Sequence, residues 1–124
     1  MTVKDCLRQA MRLLNYPDPH AAGSVPAGDG VYKQGLAVVD QITAELWYVE
    51  NDTPYTPFIA LSDEIPLSDR TAQTVLPYGV AMLLAQLQGD ADNQTVYAAL
   101  YDQRRSAVRQ APRRIHDGLP GVRG

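Results

Sequence analysis

The side chains suited to binding a metal or acting as nucleophile or base are sparse in this chain of 124 residues: two histidines, one cysteine and scattered carboxylates. His20 and His116 lie in proline- and glycine-rich stretches at opposite ends. Neither has a cysteine or second histidine at metal-ligand spacing, so both read as solvated surface groups. Asp90-Ala91-Asp92-Asn93-Gln94 opens like a calcium loop, but Thr95 stands where the sixth-position glycine belongs and Tyr101 where the closing glutamate belongs; helix capping explains it better. Gly28-Asp29-Gly30 lacks the third glycine and the preceding strand of a dinucleotide-binding turn. Asp63 and Glu64 are adjacent, and in an extended segment adjacent side chains point to opposite faces, a poor arrangement for a cooperating acid and base. Cys6 has no histidine near it in sequence and reads as a small buried side chain. The expectation is a protein that is no enzyme and uses no cofactor or metal.

Charge is the next chemical signal. Residues 1–103 carry 5 basic and 13 acidic side chains, whereas residues 104–124 carry six arginines against Asp117, so the body is at −8 and the tail at +5. Such asymmetry suits either a nucleic-acid arm or a tail that docks on an acidic surface. No apolar run approaches the roughly 20 residues that cross a bilayer, and Met1-Thr-Val-Lys-Asp-Cys6 has charges where an export signal needs apolar residues, so a cytoplasmic chain with no membrane partner is expected.

The elements that must position these groups follow from periodicity. Thr2 and Asp5 have capping spacing, and Val3, Leu7, Met11 and Leu14 share one helical face while Lys4, Arg8 and Arg12 share another; this helix ends near Asn15. Residues 17–30 hold three prolines and three glycines and read as a long connection. A second helix carries Leu36, Val39, Ile42, Leu46 and Val49, with Leu46 and Trp47 assigned to the core. Pro54, Pro57 and Pro66 bracket short apolar runs that predict two edge strands in a hairpin, or equally an extended arm. A third helix, capped at Ser68 or Asp69, carries Leu76, Val80, Leu83, Leu84 and Leu87, with a kink or break near Pro77 and Gly79 and a stop at Gly89. A fourth begins after Asp90, Asp92 or Asn93 and presents Val96, Ala99, Leu100 and Ala107 on one side. The result is a mainly α protein: a small four-helix bundle over residues 1–111, a short extended or hairpin segment between helices 2 and 3, and an irregular tail over 112–124 that orders on docking.

Three stretches give a more specific likeness. Leu46-Trp-Tyr48, Leu61-Ser-Asp-Glu-Ile-Pro-Leu67 and the run from Val75-Leu-Pro-Tyr-Gly79 through Gln88-Gly-Asp-Ala-Asp-Asn93, continuing to Arg104-Arg105, resemble the head-to-tail connector, or adaptor, proteins of tailed bacteriophages. The likeness covers roughly residues 36–105. It implies a structural subunit of the virion neck, assembled in the bacterial host cytoplasm as a ring of about twelve copies beneath the portal protein, above a tail-completion or stopper protein. Genomic DNA would pass through its channel without sequence-specific binding.

Within that frame, Arg104, Arg105, Arg109, Arg113 and Arg114, with Ile115 and Leu119, are expected to leave the bundle and bind the portal, since arginine pairs bidentately with carboxylates. Candidates for subunit contacts are Phe58, Ile59 and Ile65, whose segment can offer an unpaired strand edge, and Tyr97 with Tyr101, which either face a neighbour or cover their own core. The alternatives are a small DNA-binding protein using a basic C-terminal arm and a tail-completion or stopper protein of the same neck.

Overall fold

Reciprocal hydrogen bonds start the first helix: Thr2 Oγ1 accepts from the Asp5 amide at 3.2 Å, and Asp5 Oδ2 accepts from the Thr2 amide at 3.1 Å. The computed structural model describes residues 1–16 and 29–110, with side chains in the second stretch described from Gln34 to Arg109. Its helices are α1 (Val3–Leu14), α2 (Asp29–Glu50), α3 (Asp69–Thr74), α4 (Leu76–Leu87) and α5 (Ala91–Gln110). The chain is thus a mainly helical bundle of four longer helices with α3 as a short lead-in, and the described residues include no named strand.

Local chemistry explains the boundaries. Asn15, at φ 61°, closes α1 in the left-handed conformation that asparagine tolerates. Ser68 caps α3 by accepting from the Thr71 amide, and Asp90 caps α5 by accepting from the Asn93 amide. Gly89, at φ 69°, makes the turn between α4 and α5. The expected break falls at Val75, where α3 stops and α4 begins. Pro77 then occupies the second position of α4, in the first turn, where a missing amide costs nothing.

Helix α4 is the centre of the bundle and packs against all four others. Its glycine and alanines allow that approach: Gly79, Ala81 and Ala85 are buried between Leu76, Val80 and Leu84. Around it close the predicted face of α1 (Val3, Leu7, Met11, Leu14) and Val39, Ile42 and Leu46 of α2. Each large side chain buried here contributes on the order of 2 kcal/mol from area removed from water. Trp47 packs only partly against this core, and Leu87, assigned to it from periodicity, is half exposed. Thr43 is fully buried in α2, and its hydroxyl has no partner among the described residues. Thr43→Val keeps the shape and removes that unmet group, so it is expected to raise stability by about 1 kcal/mol, measurable as a higher urea midpoint.

Two readings are refined. Of the two forms open to segment 51–68, hairpin or extended arm, the hairpin does not form, and among the described residues its ladder contact is an isolated bridge between Thr2 and Glu64. The backbone partners come from the start of α1 instead: the Val3 and Lys4 amides donate to the Asp63 and Leu61 carbonyls at 3.0 and 2.9 Å, and the Ile65 amide to the Met1 carbonyl at 2.9 Å. The segment is therefore a strap that supplies acceptors to helix amides left without partners within α1. The second change is the face of α5. Val96, Ala99 and Ala107 are exposed and Leu100 is only half buried, whereas Tyr97, Tyr101 and Val108 pack on the core. Tyrosine bodies bury more apolar area than alanines, and their hydroxyls find partners at the rim.

Candidate functional site

Rigid presentation of the strap is the most constructed feature of the surface. Asp40 Oδ1, on α2, accepts from the Tyr55 hydroxyl at 2.6 Å and from the Phe58 amide at 3.1 Å. Trp47 Nε1 donates to the Thr53 carbonyl at 2.6 Å, and the Tyr55 ring stands 6.2 Å from those of Trp47 and Phe58. Asp63 Oδ2 accepts from the Ile59 and Ala60 amides, and Glu50 accepts from the Ser68 amide and from the hydroxyls of Ser68 and Thr71. At the crest between these clamps Ile59 is 88% exposed, while its neighbours Phe58 and Ile65 pack partly on the core. Ile59 is thus a single branched apolar side chain held out to solvent on a braced loop. Of the three strap candidates, Ile59 alone points to solvent.

The two tyrosine candidates are engaged within the chain. Tyr97 donates to the Leu13 carbonyl at 2.6 Å, and Tyr101, 4% exposed, donates to Glu45 Oε1 at 2.8 Å. The outward face of α5 holds Val96 and Ala99 instead.

Among the arginines, the expected departure from the bundle does not begin at Arg104. Its guanidinium lies 4.1 Å over the Tyr78 ring and donates to the Thr74 carbonyl. Arg105 donates to Glu45 and Asp102 at 3.3 and 3.1 Å and sits 5.2 Å from the Tyr101 ring centroid. Both stack on aromatic rings as planar guanidinium groups do. Arg109 is exposed and borders an open groove of about 370 Å³ with Glu45, Tyr48 and Val49. Arg113, Arg114, Ile115 and Leu119 lie outside the described residues.

Sequence reasoning missed this groove and the role of Asp40. A signal for the first was available: Leu46, Trp47 and Tyr48 are consecutive on a helix, about 100° apart, so one of them must face out, and Tyr48 is 57% exposed. For Asp40, nothing local in the sequence indicates a partner fifteen residues away.

No family model, curated protein or solved structure matches this chain. Among the described residues there is no group of three or more histidine, cysteine or carboxylate side chains arranged to hold a metal, and no helix is long and apolar enough to cross a membrane.

Three joints of the fold, one of them in the strap, depend on ionised carboxylates. Hydrogen bonds from Thr2 hold Asp5 below its ordinary range, those from the Ile59 and Ala60 amides do the same for Asp63, and those from Tyr16 and Asn93 for Asp90. A carboxylate whose folded pKa is depressed stabilises the fold above its unfolded pKa, and that contribution is lost as pH falls through the folded value. Stability is therefore expected to be level down to about pH 5 and to fall below about pH 4. The double variant Asp63→Asn, Asp90→Asn should show a shallower fall in urea midpoint against pH; an unchanged profile would place acid sensitivity elsewhere.

Proposed function

We propose that the chain is a structural subunit of a phage neck, a head-to-tail connector whose copies close into a ring of about twelve beneath the portal. The reading rests on the resemblance read from the sequence over residues 36–105, together with what those residues do. Leu46-Trp-Tyr48 forms the end of α2 that braces the strap, Leu61 to Leu67 is the part of the strap that caps α1, and Val75 to Asn93 is the central helix with its two breaks. The resembling positions are thus the joints that set the shape of the subunit. A ring needs a heterologous contact, one patch on a different patch of the next copy. Ile59 on its braced strap and the Val96 face of α5 are two such unlike patches on one chain. The basic tail following α5 would then meet an acidic surface of the portal, and DNA would pass through the channel without sequence-specific contacts.

Light scattering on the purified protein, alone and mixed with portal rings at moderate salt, tests this. Ring mass, or portal binding that disappears without residues 112–124, supports the reading. A monomer that ignores portal rings but binds duplex DNA with a steep salt dependence overturns it in favour of a DNA-binding protein.

A further inference from the structure

The amides that open a helix have no partner within it. At the start of α1 the capping box takes two of them, with the Thr2 amide on Asp5 Oδ2 and the Asp5 amide on Thr2 Oγ1. The strap takes the two between, Val3 on the Asp63 carbonyl and Lys4 on the Leu61 carbonyl, and Val3 is fully buried, so water does not replace its bond. The start of α1 is therefore complete only when the strap is seated. One strap residue also holds the crest. The Asp63 carboxylate accepts from the Ile59 and Ala60 amides at 2.7 and 3.0 Å through the single oxygen Oδ2, and the Asp63 amide donates to the Ala60 carbonyl at 3.1 Å. The carbonyl of this same residue is the acceptor for Val3 at 3.0 Å. Hydrogen bonds weaken steeply with distance and angle, so a movement of Asp63 breaks both sets together.

We propose that Asp63 couples the crest of the strap to the first turn of α1, so that residues 59–65 and 2–5 open and close as one unit. Coupling of this kind is reciprocal: clamping the crest steadies the start of α1, and loosening the cap at Thr2 loosens the crest by the same factor. Opening of this unit leaves the packing of α4 on α2 and α5 in place, as local opening does. The coupling depends only on these bonds. Its use rests on the proposed function: a neighbouring copy seated on Ile59 would steady α1 as the ring grows.

Amide hydrogen exchange on the full chain tests the coupling, in Asp63→Ala and in Thr2→Ala separately. Asp63→Ala removes the two carboxylate bonds and leaves the backbone carbonyl, so faster exchange at Ile59 and Ala60 follows with or without coupling. Coupling adds about a fivefold rise at Val3 and Lys4. Thr2→Ala should speed Ile59 and Ala60 by a similar factor, although the Thr2 hydroxyl bonds to Asp5 and not to the strap. Ala81 and Leu84, buried in α4, serve as the reference that removes any global loss. A rise confined to the mutated end in both variants overturns the coupling. Asp63→Asn keeps an acceptor oxygen and covers the case in which alanine unfolds the chain: the same pattern at smaller size is expected, and a rise at Ile59 and Ala60 alone overturns it. Light scattering on the same samples keeps the two proposals apart. A coupled chain that forms no ring sinks only the use in assembly, and a ring-forming chain with uncoupled exchange sinks only the coupling.

Discussion

Gly79→Val is expected to lower stability by about 3 kcal/mol, and Gly79→Ala by about 1 kcal/mol. A Cβ at this position would stand 2.7 Å from Ile42 Cγ2 and 2.8 and 2.9 Å from two carbons of the Tyr101 ring. Neither neighbour yields easily. Ile42 is fully buried and β-branched, with one favoured rotamer in a helix, and the Tyr101 ring is fixed by its bond to Glu45. Alanine regains about 1 kcal/mol of helix propensity over glycine, which offsets part of its overpacking; valine adds bulk without that compensation. Gly35→Ala is the control. Its Cβ would come as close, 2.6 and 2.7 Å, but to the two methyl ends of Leu7, which can move aside more readily than a ring or a branched Cβ. Urea midpoints at constant m-value read the difference. A Gly79→Val protein as stable as the parent would mean that α4 does not approach α2 and α5 this closely. The strain also reaches the surface, because displacing Tyr101 shifts Glu45 and Arg105 at the groove.

Asp40→Ala should have the largest effect on the proposed interaction surface, with about 2 kcal/mol lost in stability. Both bonds to the strap converge on one oxygen, Oδ1, so alanine strands the Tyr55 hydroxyl and the Phe58 amide together. Burial first, then the hydrogen bond and charge of Asp40, push the Tyr55 hydroxyl far above its ordinary range, which marks a group committed to this partner. Asp40→Asn retains an oxygen acceptor and loses the charge-assisted part, so about half the effect is expected. Hydrogen exchange at Phe58 and Ile59 should rise strongly in Asp40→Ala and modestly in Asp40→Asn. The proposed ring formation should weaken in the same order, since Ile59 would no longer be held out. Unchanged exchange in the alanine variant would show that the aromatic stack of Trp47, Tyr55 and Phe58 braces the strap without Asp40.

Legibility in the sequence tracks the range of the interactions. The capping pair Thr2 and Asp5, the caps of α3 and α5, the stop at Gly89 and the break near Pro77 all depend on bonds spanning a few residues; from the alternatives the pattern allowed, the structure selects Ser68 and Asp90 as caps and Val75 as the break. The faces of α1 and α2 were legible for a related reason: aliphatic residues at three- and four-residue steps have one way to leave water. The same rule misjudged α5, where small apolar residues mark the outside and tyrosines with polar tips fill the inside. It left the strap open between hairpin and extended arm, because the backbone partners that decide lie at the start of the chain, some sixty residues earlier.

By itself, then, the sequence determined a mainly α bundle, the positions of its helix ends, the acidic body with its arginine-rich end and the absence of recognised catalytic spacing. The tertiary structure decided which charges remain available. Arg104 and Arg105 are taken up by Tyr78, Tyr101 and Glu45, whereas Arg109 is left at a groove beside the acidic end of α2. It also decided that Ile59 stands out while Phe58 and Ile65 turn in. The physical reason is the same in both cases: a cap or a periodic face is set by neighbours along the chain, but the partner of a guanidinium or an exposed isoleucine is set by which helices are packed beside it.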